Sequence, residues 1–368
     1  MGDIIKENNL KFRCDLNEDV KYILLPVFYG IVFCIGFTLN VLTVYIYIFK
    51  IRPWKTINVF MFNLAVSDLI YVLSLPLLIY YYSQESVWPF TNVICKLVRF
   101  LFYTSLYCSI LFLLSISIYR FVAICHPIQY LRWSHPRYAR IASLVIWIIV
   151  VGMQSPIWYF VSTSQSGNNT VCPDTTSEDL FGQFVIFSAV NLSLLFCVPF
   201  VVILICYSNI VYVLFKPNTN ISRTGRSKVK SVKMVIVVLL VFVVCFLPFH
   251  VTRTLFYFYR NRDLECSTLS VISLAYTVTR PLASLNSCID PILYFLVWRL
   301  SLSTDLYAEQ IIDRRQLISG EDPHNTLGTR SQLPTRSIYI SKPFTRGTVF
   351  YRLSGLNIEI VLLLLFMD

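Results

Sequence analysis

Apolar residues run along this chain in seven long blocks, at 22–49, 57–82, 94–125, 141–161, 183–213, 233–258 and 268–298, with short polar segments between them. Each block reaches the roughly 20 residues that a helix needs to cross about 30 Å of hydrocarbon. None alternates apolar and polar residues with the period of two that a barrel strand requires. The pattern predicts an all-α membrane protein, a seven-transmembrane helix bundle over 22–298. The preceding segment 1–21 is charged throughout and lacks an apolar stretch, so a cleavable signal peptide is not expected. Lys6 stands where a myristoylation motif needs Ser or Thr. From 299 onward the composition turns polar and mixed, which predicts a disordered tail over 299–368. The apolar run at 358–367 is too short and interrupted to span.

Charge orients the bundle. Basic residues gather in the loops after the first, third and fifth blocks: Lys50, Arg52 and Lys55, then Arg132, Arg137 and Arg140, then Lys216, Arg223, Arg226, Lys228, Lys230 and Lys233. The other loops carry acids: Glu85, then Asp174, Glu178 and Asp179, then Asp263 and Glu265. The positive-inside rule puts the basic loops in the cytoplasm, the N-terminus outside and the tail inside. The chain is 56% hydrophobic and 14% charged, against about 25% charged residues in soluble proteins, so a lipid bilayer is its first partner. The net charge of +11 sits in loops and not on a soluble basic face, so no nucleic-acid partner is expected. Cys14, Cys95, Cys172 and Cys266 then lie in the oxidising compartment, enough for two disulfides in any of three pairings. Asn168 opens a glycosylation sequon on the same side. The sequons at Asn191 and Asn220 fall in a membrane block and a cytoplasmic loop, and read as chance.

Three basic motifs recur near the outer ends of helices. In Phe242-Val-Val-Cys-Phe-Leu-Pro-Phe-His-Val-Thr-Arg253, Pro248 should kink the helix, and His250 and Arg253 share a face at spacing i, i+3. Tyr276-Thr-Val-Thr-Arg280-Pro281 and Lys96-Leu-Val-Arg99-Phe-Leu-Phe-Tyr103 repeat the device. An arginine inside a membrane segment costs roughly 2.5 kcal/mol or more, so such residues usually face a watery cavity. Guanidinium is permanently charged and its fork matches phosphate oxygens, so three of them suit a polyanion. The plainer reading of any one is a snorkelling side chain or a partner for a loop acid. Tyr103 and Tyr107 share a face with Arg99 and serve equally as ligand contacts or packing; His250 serves equally as a ligand or a satisfied interior residue. Asp68 is an acid inside an apolar block and needs a partner. No HExxH, GxGxxG, Walker loop or CxxC pair occurs, so an enzyme is not expected. The blocks show no internal repeat, which argues against an inverted-repeat anion transporter.

The chain resembles the rhodopsin-like G-protein-coupled receptors in Asn40, Leu64-Ala-Val-Ser-Asp68, Cys95, Arg120, Trp147, Pro199 with Tyr207, Cys245-Phe-Leu-Pro248 and Asp290-Pro-Ile-Leu-Tyr294. Within that class it is similar to the purinergic nucleotide receptors, nearest the branch answering to uridine and adenosine triphosphates. The residues that carry this are Leu131-Arg-Trp133, Tyr138-Ala-Arg140, Cys197-Val-Pro199-Phe-Val-Val-Ile203, Phe249-His-Val-Thr-Arg-Thr-Leu255, Val278-Thr-Arg-Pro-Leu-Ala-Ser284 and Asn286-Ser-Cys288. The resemblance implies a multi-pass plasma-membrane receptor for an extracellular nucleotide, acting through a heterotrimeric G protein, phospholipase C and calcium release. Its nearer rivals are receptors for other anions: nucleotide diphosphates, nucleotide sugars, dicarboxylates or lipid phosphates. It further implies disulfides Cys95–Cys172 and Cys14–Cys266, and phosphate-binding roles for Arg99, Arg253 and Arg280. Asp174 is expected to pair with an arginine at the mouth, Arg280. Ser109, Asn286 and Ser287 with Asp68 and Asp290 are implied to surround an allosteric sodium ion, with no other cofactor. Ile110, Pro199 and Phe242 are implied to transmit activation, and Arg120, Tyr207 and Tyr294 to form the inner latch and G-protein contact. Three positions depart from the family. Tyr119 precedes Arg120 in place of an acid or His. Thr277 replaces the Lys of triphosphate-responsive relatives. The tail lacks the usual basic amphipathic stretch and lipidatable Cys.

Overall fold

The computed structural model describes residues 19–126, 128–130, 135–215, 225–260 and 266–292. Cys14, Asn220, Tyr294, the segment 1–18 and the tail 299–368 lie outside the described residues. The first three helices are Asp19–Phe49, Thr56–Ser83 and Asn92–Cys125. The third begins where Thr91 accepts a hydrogen bond from the Ile94 backbone N–H at 3.4 Å, satisfying one of the N-terminal donors that a helix leaves open. The fourth runs from Pro136 to Gln154 with a short continuation, Ile157–Phe160. It therefore starts ahead of the apolar block at 141. Pro136 fits the first turn because its missing N–H is no loss there, and the His135 ring caps Arg137 N at 3.2 Å. Local capping chemistry, not apolarity, sets that boundary.

The fifth helix spans Glu178–Phe215, opening with a 3₁₀ turn at Glu178–Leu180 and widening to a π turn at Ser193–Cys197. The sixth is helical from Gly225, widens at Val241–Phe246 and ends at Arg260. Both π turns precede a proline. The ring of Pro199 would meet the carbonyl of Leu195, and that of Pro248 the carbonyl of Val244. Both carbonyls lie inside the widened turns, so the break expected at Pro248 takes the form of a π turn. The seventh helix is Cys266–Ser284, interrupted at Leu285 and helical again over 286–292.

Six of these helices are long and apolar enough to cross a membrane; half of the most apolar stretch of the second, third and sixth is buried, against 22% and 28% in the first and fourth. The second, third and sixth therefore form the centre. The first and fourth present faces such as Ile23, Val27, Ile141, Leu144 and Ile148 outward, as lipid contact requires. The seventh packs on the sixth and the first.

One feature of the outer side had no counterpart in the block pattern. Strand β1 (Ser164–Ser166) pairs antiparallel with β2 (Asn169–Val171). Gly167 takes φ +60° at the turn, a conformation open to a residue without Cβ. The Trp88 N–H donates to Thr170 O at 2.7 Å, and the Cys95–Cys172 disulfide ties the chain just past β2 to the top of the third helix. Asn168 is exposed at this turn, while Asn191 is buried and accepts from Gln154.

Candidate ligand site

The disulfide determines where the acid goes. Two residues beyond Cys172, Asp174 lies between the third and seventh helices and bridges Arg99 and Arg280. The expected Arg280 partner is present, and Arg99 is a second one. Arg99 also donates to the Cys172 carbonyl at 2.8 Å. Arg280 donates to the Tyr82 hydroxyl at 3.2 Å and lies 4.3 Å over the Tyr276 ring. Burial alone would push the Asp174 carboxyl up. Arg280 and then Arg99 outweigh it and hold the group below the usual carboxylate range.

Arg253 is housed differently. Its Nε donates to Tyr257 at 3.1 Å, one terminal nitrogen to Ser188 at 3.2 Å, and the other reaches Tyr107 at 3.5 Å. The guanidinium carbon sits 4.4 Å over the Tyr103 ring. Hydroxyls and aromatic faces stabilise a cation, but none of these groups carries a negative charge. His250 stacks on Phe196 at 4.2 Å between ring centroids, and its buried Nε2 has no hydrogen-bond partner. The three arginines expected in one pocket thus form two groups: Arg99 and Arg280 under Asp174, and Arg253 in a tyrosine cage. Tyr276 joins them, lying under Arg280 and 6.4 Å from the Tyr257 ring. Tyr257 and Tyr276 were within reach of sequence reasoning, since each stands four residues from its arginine on the same helix face. Tyr82 and Ser188 come from other helices and carry no local signal.

Deeper in the bundle, Ser109 and Ser287 donate to Asp68 Oδ1 at 3.3 and 3.2 Å. Asp290 neighbours Asp68, and both of its carboxylate oxygens are buried without a hydrogen-bond partner among the described residues. Asn40 ties the cluster to the first helix, donating to Ser287 O at 2.7 Å and Gly36 O at 2.9 Å. The Asp68 and Asp290 side chains are fully buried, and two neighbouring carboxyls with hydroxyl and amide oxygens make a donor set suited to a hard cation.

Ile110, Pro199 and Phe242 are all buried, and Phe242 stacks on Phe200 at 5.7 Å and Phe196 at 6.3 Å, on either side of Pro199. Farther in, the Tyr207 hydroxyl accepts from Ser117 at 2.7 Å. Tyr119, beside Arg120, donates to Tyr130 at 2.9 Å.

A helical bundle with a disulfide-held outer loop and a cationic outer pocket defines a receptor class, and sequence comparison agrees. The model of the 7 transmembrane receptor (rhodopsin family) matches residues 39–294, and the chain belongs to that family. The Y-type purinoceptor 2 of Rattus norvegicus is 52% identical over 289 residues, covering 78% of this chain and 77% of the relative. The Y-type purinoceptor 4 of Homo sapiens is 46% identical over 316 residues, 86% and 84% of the two chains. The Y-type purinoceptor 1 of Meleagris gallopavo is 41% identical over 293 residues, 78% and 80%. Within the rhodopsin family the chain is a member of the Y-type purinoceptors: a multi-pass receptor of the plasma membrane and not an enzyme.

Proposed function

We propose that the outer pocket binds an extracellular nucleotide, a uridine or adenosine triphosphate, and that binding activates a heterotrimeric G protein leading to phospholipase C and calcium release. One observation carries this reading. The buried guanidiniums of Arg99 and Arg253 and the partly buried one of Arg280, on the third, sixth and seventh helices, lie at the outer end of the bundle, where Asp174 is the carboxylate that pairs with two of them. Buried charge without a counter-ion is costly, so the surplus favours an anion with several charges. Phosphate oxygens take over Arg99 and Arg280 from Asp174 and reach Arg253, while the faces of Tyr103 and Tyr107 accept base or ribose. The Y-type purinoceptors 2 and 4 support the nucleotide assignment by kinship.

Activation needs the nucleotide to bind the active helix arrangement more tightly than the resting one. The sixth and seventh helices already touch through the hydroxyls of Thr252 and Thr279, 2.7 Å apart. A polyphosphate shared by Arg253 and Arg280 draws these helices together outside. The π turn before Pro248 lets the inner half of the sixth helix swing away, past the Ile110, Pro199 and Phe242 packing, towards the Arg120, Tyr207 and Tyr294 latch. Asp68, Ser109, Asn286, Ser287 and Asp290 would hold a sodium ion, which would add one positive charge beside the two carboxyls. Asn168 carries the glycan.

The test is a dose-response panel of adenine and uridine di- and triphosphates on the expressed receptor, with calcium release and nucleotide uptake both recorded. Arg253→Ala or Arg280→Ala should weaken potency at least tenfold, since a charge-assisted bond contributes about 1.5–3 kcal/mol. Lys should rescue partly, because it lacks the planar fork. Unchanged potency at normal surface expression removes that arginine from the site, and uptake without calcium release makes the protein a transporter.

A further inference from the structure

Arg253 is open on a second side. Behind its guanidinium the outer halves of the fifth and sixth helices part to leave a cavity of ≈ 310 Å³, whose lining includes Ser188, Ala189, Leu192, His250, Arg253 and Thr254. The rim and the floor differ in character. Ala189, Thr254 and Phe258 are exposed at the rim, and they belong to helix segments apolar enough to cross the membrane, so this opening meets lipid and not water. Ser188, His250 and Arg253 are 8%, 2% and 5% exposed and form the polar floor. Arg253 has no carboxylate among its partners in the described residues. His250 Nε2 lies buried without a partner.

A cation and a free imidazole nitrogen at the end of an apolar cleft are costly unless an anion reaches them. Arg253 stands roughly 10 Å below the helix end at Arg260, at about 1.5 Å per residue, within the outer leaflet. The cavity is at the lower limit of ligand-site volumes, about 300–1,000 Å³, enough for a small head group but not for a whole lipid. A carboxylate fits this floor: its two oxygens accept from one guanidinium and one hydroxyl or imidazole donor.

We propose that this cleft is a lipid-side site for a fatty acid, whose carboxylate is held by Arg253, Ser188 and His250 and whose chain leaves past Ala189 and Thr254 into the outer leaflet. The site goes beyond the nucleotide reading and shares only the Arg253–His250 corner with it.

The test uses the full-length receptor in lipid nanodiscs without nucleotide, photolabelled with an oleate that carries a diazirine in its chain. Label is expected on peptides containing 185–192 and 254–258, with protection by excess oleate and none by oleyl alcohol. Ala189→Trp faces lipid and fills the rim, and by blocking the path of the chain it should cut this labelling roughly tenfold at normal expression, equivalent to about 1.4 kcal/mol. Labelling spread evenly over lipid-facing helices, or unchanged in Ala189→Trp, overturns the site. Equal protection by oleyl alcohol overturns the anionic head group, and protection by inorganic phosphate overturns entry from the bilayer. Labelling is read without nucleotide, so these outcomes are independent of the nucleotide panel.

Discussion

Thr277 and Arg280 share a helix face at the mouth of the pocket, and Thr277 is half-buried there. Arg280 is already engaged by Asp174 and Tyr82, so a cation at 277 would offer the terminal phosphate a partner that this chain lacks. Thr277→Lys should improve triphosphate potency severalfold and diphosphate potency less, since a half-exposed pair contributes about 1 kcal/mol or less. Equal gains would point to the general field at the mouth, and no gain would place the terminal phosphate elsewhere. Asp174 predicts an effect of the opposite kind. Asp174→Asn leaves two neighbouring guanidiniums without their counter-ion, a loss of up to about 3–5 kcal/mol for a buried pair. The unliganded receptor should unfold at lower temperature, and nucleotide should raise the midpoint more than in wild type because it no longer competes with the carboxylate. A smaller nucleotide shift in the variant would exclude competition. The pH dependence follows from the depressed carboxyl. A depressed group contributes stability that is complete above its unfolded pKa, about 3.9, and lost only as pH falls through the lower folded value. The gap between wild type and Asp174→Asn in thermal unfolding should therefore be the same at pH 7.4 and at about pH 5.5.

At the scale of single elements, the π turns before Pro199 and Pro248 matter most. A break at Pro248 was legible because the ring removes a donor and crowds a carbonyl. The form of the break was not. Widening to a π turn rotates one half of the helix against the other, and that phase depends on facing side chains: here the Phe196, Phe200 and Phe242 stack. Pro248→Ala restores the missing N–H and should stiffen the sixth helix. The expected result is nucleotide binding near wild type with maximal G-protein activation, read as GTPγS exchange, reduced several-fold. A full maximal response would mean that the hinge lies elsewhere. The early start of the fourth helix has a similar lesson. Its first turn is polar, so counting apolar residues misses it, while the His135 and Pro136 capping pattern identifies it.

In the whole molecule, covalent links decide which loop reaches the pocket. The Cys95–Cys172 bridge joins positions 77 residues apart and delivers Asp174 to arginines of two helices. Non-reducing peptide mapping should recover this pair together with Cys14–Cys266, which would tie the N-terminal segment to the top of the seventh helix. A Cys14–Cys95 peptide would overturn both assignments. The β1–β2 hairpin belongs to the same scale. It is too short to show a periodic pattern and is held by Trp88 from a different loop.

The sequence alone determined the class, a helical membrane bundle, and it predicted the orientation of the helices, the compartment of the cysteines and the candidates Arg99, Arg253 and Arg280. A bilayer makes this possible, because apolar length and the side on which charge lies are properties of the chain read in one dimension. Tertiary structure decided which groups meet those candidates. Asp174 faces two arginines and not one; Arg253 stands apart in a cage of Tyr103, Tyr107, Tyr257 and Ser188; and a cleft opens behind it towards lipid. These contacts join the outer loop to two helices, residues on different helices, or residues one turn apart on one helix. Helix rotation and the disulfide set these distances, and neither leaves a periodic trace in the order of the residues.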